Sequence, residues 1–144
     1  MAYADGEAIA GKHVPAPFER TLKVVMSPET HAGVKDFTLL LSTLAPGGGC
    51  TDLHSHESSG ELMVFVSGRG RAWLDGVEHG LKPGVAIYAP PGVEHRTMNT
   101  GDEPLEIVCV FIPPAPSDYI RQMITASEGD EMEKQPGAEE RRSE

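Results

Sequence analysis

The sequence predicts an all-β domain, a sandwich or a closed barrel of short antiparallel strands, and three observations carry that prediction. From about residue 20 onward the apolar runs are of strand length, and several alternate or are rich in β-branched and aromatic residues. Turn-forming residues separate the runs: the 144-residue chain holds 16 Gly and 12 Pro, well above an average share. Helical periodicity is confined to one segment on the C-terminal side.

The elements follow in order. Residues 1–20, opening MAYADGEAIAGKH, read as an N-terminal arm ahead of a β domain over 21–115. The strand-length runs are TLKVVM from 21, DFTLLLSTLA from 36, ELMVFVSG from 61, GRAWLDG from 70, VAIYA from 85, HRTMNT from 95 and LEIVCVFI from 105. PGGG at 46–49, Lys82-Pro83-Gly84 and PPG at 90–92 are turn signals. Asp75-Gly76 suits a two-residue hairpin joining the strand through Trp73 to one near Val77. In LEIVCVFI either Leu105, Ile107, Cys109 and Phe111 or their neighbours face inward, and alternation alone leaves both faces open. SDYIRQMITASEG, residues 117–129 within a helical segment at 116–129, has a Ser117 cap and apolar Tyr119, Ile120, Met123 and Ile124. It reads as a helix docked on the outside of the β domain, with a lid as the other reading. Residues 127–144 carry seven acids against three bases, so 130–144 reads as an acidic, solvated and mobile tail.

The formal net charge of -10 argues against nucleic acid as a partner, since phosphate binding needs clustered Lys and Arg. No helix-turn-helix pattern stands outside the β region. The N-terminus lacks the basic start and apolar run of a signal peptide, and no segment approaches the roughly 18 apolar residues of a membrane span. A cytoplasmic protein without membrane contact is expected, with Cys50 and Cys109 as free thiols in a reducing compartment.

The stretch HSHESSGE, residues 54–61, carries the chemistry. Residues two apart on an extended segment point to one face, so His54 and His56 present two imidazoles together. Glu61 then opens the apolar run ELMVFV, where a charge needs compensation that a cation supplies well. His95, after the turn-rich APPGVE, offers a third imidazole. Three imidazoles and a carboxylate suit one divalent transition ion, Fe, Mn, Ni, Zn or Co, and leave up to two positions of an octahedral ion open. By strand parity Met63 and Phe65 share the face of Glu61, and Thr97 shares that of His95. Asn99, four after His95, is either a supporting donor to the site or a turn residue before Thr100-Gly101-Asp102. Arg69, Arg71 and Arg96 read as solvated strand-edge charges, so no phosphate clamp is visible. His13, His31 and His79 read as surface residues and Cys50 as a spectator thiol.

The spacing around these residues is specific. Gly48, five residues, His54-x-His56, four residues, Glu61, six residues and Gly68 form one pattern. Gly84, five residues, Pro90-x-Gly92, two residues, His95, three residues and Asn99 form a second. In both the chain resembles the cupin superfamily, in particular its small single-domain bacterial members of the conserved-barrel, cupin 2 type. The resemblance implies a double-stranded β-helix, a jelly-roll barrel followed here by the short C-terminal helix, with His54, His56, Glu61 and His95 as metal ligands. It also implies a homodimer, in which strands from about Phe18 to Met26 pair with the partner's sheet. Two functions are consistent with such a chain. One is a metal-dependent enzyme, dioxygenase-like or an isomerase or lyase, acting on a small organic metabolite. The other is a non-catalytic small-molecule or saccharide-binding protein with a sensing or accessory role.

Overall fold

Along most strands buried and less buried residues alternate, as a sheet with one face on a core requires. The computed structural model describes residues 1–129, so the expected acidic tail at 130–144 lies outside the described residues. Nine strands form: β1 (Lys12–Val14), β2 (Arg20–Met26), β3 (Thr38–Leu44), β4 (Gly60–Ser67), β5 (Gly70–Leu74), β6 (Val77–Leu81), β7 (Ala86–Ala89), β8 (His95–Asn99) and β9 (Leu105–Ile112). One helix, α1 (Ser117–Gly129), follows them. Every apolar run named from the sequence contributes a strand. β1 is an addition within the N-terminal arm, only three residues long and therefore without a readable period.

The strands make a six-stranded sheet in the order β1-β2-β3-β9-β4-β7 and a three-stranded sheet in the order β6-β5-β8, with every neighbouring pair antiparallel. The expected double-stranded β-helix barrel is therefore corrected: the two sheets are not closed into one. Among the described residues no strand of one sheet is laddered to a strand of the other. The segment before β4 shows why. Residues 50–59 run beside β8 but make only two isolated bridges, Cys50 to Met98 and His54 to His95, and then turn through a polar Ser/Glu/Gly stretch. Too short and too interrupted for a strand, this segment leaves an open two-sheet sandwich, the other architecture the turn-rich pattern allowed.

One core joins the sheets. Leu40, Leu44, Met63, Phe65, Leu105 and Ile107 of the large sheet pack with Ala72 and Leu81 of the small one, and Ile120 and Met123 of α1 complete the cluster. Phe65, Leu44, Leu105 and Ile120 are 0% exposed, and each such side chain contributes roughly 1.5–3 kcal/mol of burial. The open question about β9 is answered by its alternation: Leu105, Ile107, Cys109 and Phe111 are buried, whereas Glu106 and Ile112 are exposed. Asp75 and Gly76 both take positive φ, 50° and 79°, in the hairpin between β5 and β6. The Ser117 hydroxyl is engaged with Glu29 Oε2 at 2.6 Å.

β2 is flanked on both sides within its own sheet, by β1 and β3. No described helix is long and apolar enough to cross a membrane.

Candidate metal centre

Three segments deliver the four residues. His54 and His56 lie in the segment before β4, Glu61 on β4, and His95 opens β8. Two reciprocal backbone hydrogen bonds lock the first to the last: His54 N donates to His95 O at 3.1 Å, and His95 N to His54 O at 2.8 Å. The turn ahead of β8 is tied to the same segment, because Gly92 N donates to His56 O at 2.8 Å. Gly92 has φ +80°, a conformation an L side chain resists, so the PPG signal marks a turn that only glycine enters without strain. Glu61 is pinned from both sides, opposite Ala89 of β7 and Phe111 of β9. Gly68, at φ +88°, ends β4 where an added Cβ would collide with the Pro104 carbonyl.

One donor atom from each of His54, His56, Glu61 and His95 lies within 4.8 Å of all the others. Glu61 Oε1 is 3.0 Å from His56 Nε2 and 3.1 Å from His95 Nε2. Ring centroids are 4.3 Å apart for His54 and His95, and 5.0 Å for His54 and His56. The opposite nitrogens are anchored: His54 Nδ1 donates to the Asp52 carbonyl at 2.7 Å and His95 Nδ1 to that of Val93 at 3.0 Å. With Nδ1 so engaged, the neutral form of each ring carries its lone pair on Nε2, the arrangement metal-binding histidines use. Ligands at adjacent corners of an octahedral ion with bonds of about 2.1 Å lie about 3 Å apart, so the two short Glu61 contacts match that spacing. The donor set and its geometry fit a divalent transition ion.

The charges are coupled. Burial alone would raise the Glu61 carboxyl, but hydrogen bonds from His56 and His95, with their charge, outweigh it and bring the group from 4.5 down to about 2. For His95, burial works to lower the imidazole, and the bonds to Glu61 and the Val93 carbonyl reverse that and raise it. Burial lowers His54, which the Asp52 carbonyl only partly offsets. Burial, then the Glu61 charge, pushes the Cys109 thiol well up, so it stays protonated.

The cluster opens onto a cavity of about 340 Å³. Met63 and Thr97 line it, whereas Phe65 belongs to the core cluster and is not part of the lining. Asn99 is also outside the lining: its amide donates to the carbonyls of Leu44 at 3.0 Å and Glu103 at 2.8 Å, and its Oδ1 accepts from Gly101 N at 2.9 Å. It ties β8 to the turn that follows. Cys50 and Cys109 are free thiols, and only Cys109 lines the cavity. Arg71 pairs with Glu78, and Arg96 stacks 5.1 Å over Trp73. Eight lining residues went unread in the sequence: Arg20 and Leu22 of β2, Leu40 and Ser42 of β3, Thr51, Asp52 and Ser55 of the segment before β4, and Tyr119 of α1. Tyr119 is 38% exposed, so desolvation and the Glu61 charge raise its hydroxyl without enclosing it, and it is protonated at neutral pH.

Fold and site together define a class: a small two-sheet all-β protein with a candidate cluster of three histidines and one glutamate at a cavity. The chain belongs to the cupin family, whose cupin domain matches residues 40–111, half of its length. It is 36% identical over 93 residues to an uncharacterised protein of Methanocaldococcus jannaschii, covering 65% of this chain and 73% of that one. A glucose-6-phosphate isomerase of Pyrococcus abyssi is 35% identical over 71 residues, 46% of this chain. This chain spans only 38% of that isomerase. Among solved structures, a predicted oxalate decarboxylase from Thermotoga maritima superposes with a TM-score of 0.69 at 23% identity, over 78% of this chain and 99% of that one. At that identity the likeness concerns the fold.

Proposed function

We propose that His54, His56, Glu61 and His95 hold one divalent transition ion, and that the protein is a metal-dependent enzyme acting on a small organic metabolite in the adjoining cavity. The observation that carries this reading is the convergence of four donors within 4.8 Å at that cavity. When bound, such an ion supplies Lewis-acid polarisation of a carbonyl or carboxylate or, if it is iron, redox chemistry with oxygen. The protein's own residues do the rest. Glu61, ionised down to about 2, provides a fixed negative charge beside the imidazoles. Leu22, Leu40, Met63, Ile107 and Phe111 give the cavity an apolar wall that limits water at the reacting atoms. The Tyr119 hydroxyl, protonated at neutral pH, can donate a hydrogen bond to oxygen developing negative charge. The stretch shared with the isomerase supports the isomerase or lyase version, and the identity of the ion separates it from the dioxygenase-like version.

The test is metal analysis of protein purified without added metal, beside a His54→Ala/His95→Ala variant. About one equivalent in the wild type and almost none in the variant is expected. Iron would direct assays to oxygen uptake, and zinc, manganese, nickel or cobalt to isomerisation and elimination. A wild type that arrives metal-free and takes up none of these ions on titration overturns the reading.

A further inference from the structure

The cavity lining holds a cationic group that the histidine–glutamate cluster leaves unused. Arg20, the first residue of β2, is the only lysine or arginine in the lining. Its Nη1 donates to two backbone carbonyls, Phe18 at 3.0 Å and Cys50 at 3.5 Å. Among the described residues no carboxylate lies within ion-pair distance of Arg20. The guanidinium is thus oriented by neutral acceptors through one nitrogen, and among the described residues its charge and remaining donors have no anionic partner. Tyr119 lines the same cavity, within electrostatic reach of both Arg20 and Glu61.

Geometry and charge select the ligand. A guanidinium presents a planar fork that matches a carboxylate with two parallel hydrogen bonds. A phosphate dianion fits poorly, because a single cation would face it in a wall that also carries Asp52 and Glu61. The volume, about 340 Å³, is at the small end of ligand cavities, which run roughly 300–1,000 Å³. We infer that the cavity takes a small hydroxy or oxo carboxylic acid, its carboxylate on Arg20 and its second oxygen directed past Tyr119 towards the histidine–glutamate cluster. The role of that second oxygen rests on the metal-enzyme reading; the anchoring by Arg20 does not.

Calorimetric titration separates the two. The probes are 2-oxobutanoate, lactate and malate, the methyl ester of each, and glucose 6-phosphate, added to wild type, Arg20→Gln and Arg20→Lys, with metal content and thermal midpoint measured for every sample. At least one acid should bind wild type and lose affinity by about tenfold or more both as its ester and on Arg20→Gln, the size expected for a charged hydrogen bond. Arg20→Lys should keep part of that affinity, and metal content should be the same in all three proteins. The assignment is overturned if no acid binds, if acid and ester bind alike, if Arg20→Gln binds the acid as wild type does, or if glucose 6-phosphate outcompetes every acid. Arg20-dependent acid binding in a protein that takes up no metal would sink the metal reading and leave this one standing. Metal uptake with acid binding indifferent to Arg20 would do the reverse.

Discussion

Glu61 and His95 hold opposite ends of one hydrogen bond, and their titrations run in opposite directions. The Glu61 carboxyl, at about 2 instead of 4.5, contributes folding stability that is complete above the ordinary carboxylate range and is lost as pH falls towards 2. His95, raised above 6.5, contributes stability that is complete below 6.5 and is lost as pH rises through its folded value. A cation must displace the His95 proton, whereas Glu61 is already ionised. Apparent metal affinity is therefore expected to climb with pH through the histidine range and to level off once His95 is neutral. Titrations at a series of pH values check this, and an affinity flat from about pH 5 to 8 would show that His95 is not a ligand. Glu61→Gln keeps the shape but removes the charge. It should cost more than the roughly 10–100-fold that loss of a partner outside the ligand set costs.

The turn between β7 and β8 offers a cleaner test of how the chain builds the site. A Cβ added at Gly92 would meet nothing within 4 Å, so Gly92→Ala changes only the cost of holding φ at +80°. That cost is about 1–2 kcal/mol. It should appear as a lower denaturant midpoint with an unchanged slope; an unchanged midpoint would mean that the turn relaxes to another conformation. Gly92 was legible as a turn residue because PPG is strong local punctuation, and the long strands were legible because their side chains alternate. Closure was not. Whether residues 50–59 extend a sheet depends on hydrogen bonds to β8, and Cys50 to His54 form only bridges there, which no period in the sequence encodes. Arg20 and Tyr119 escaped for a related reason. Arg20 is the first residue of a strand and Tyr119 lies on a helix read as packing outside, and they line one cavity because α1 docks against β1 and β2 and buries Ile120 and Met123 in the core.

The four donors are distributed so that they join what the backbone leaves apart. Glu61 belongs to the six-stranded sheet, His95 to the three-stranded sheet, and His54 and His56 to the segment that bridges only one of them. This cluster was readable because its spacing is local within two stretches of sequence, even though the architecture around it was read as more closed than it is. An ion shared by all four ligands would cross-link the two sheets at the edge where no continuous ladder does so. Because such a site exists only in the folded chain, binding adds directly to stability. At a free metal concentration a hundredfold above the dissociation constant the gain is about 2.7 kcal/mol. For a domain of this size that corresponds to a rise in thermal midpoint on the order of 10 °C. Calorimetric scans of metal-stripped protein, before and after addition of the ion found by metal analysis, should show that rise in wild type. A chelator should reverse it, and His54→Ala/His95→Ala should not show it. Equal shifts in the two proteins would place the ion elsewhere on this acidic chain, and no shift in either would leave the sheets held by their shared core alone.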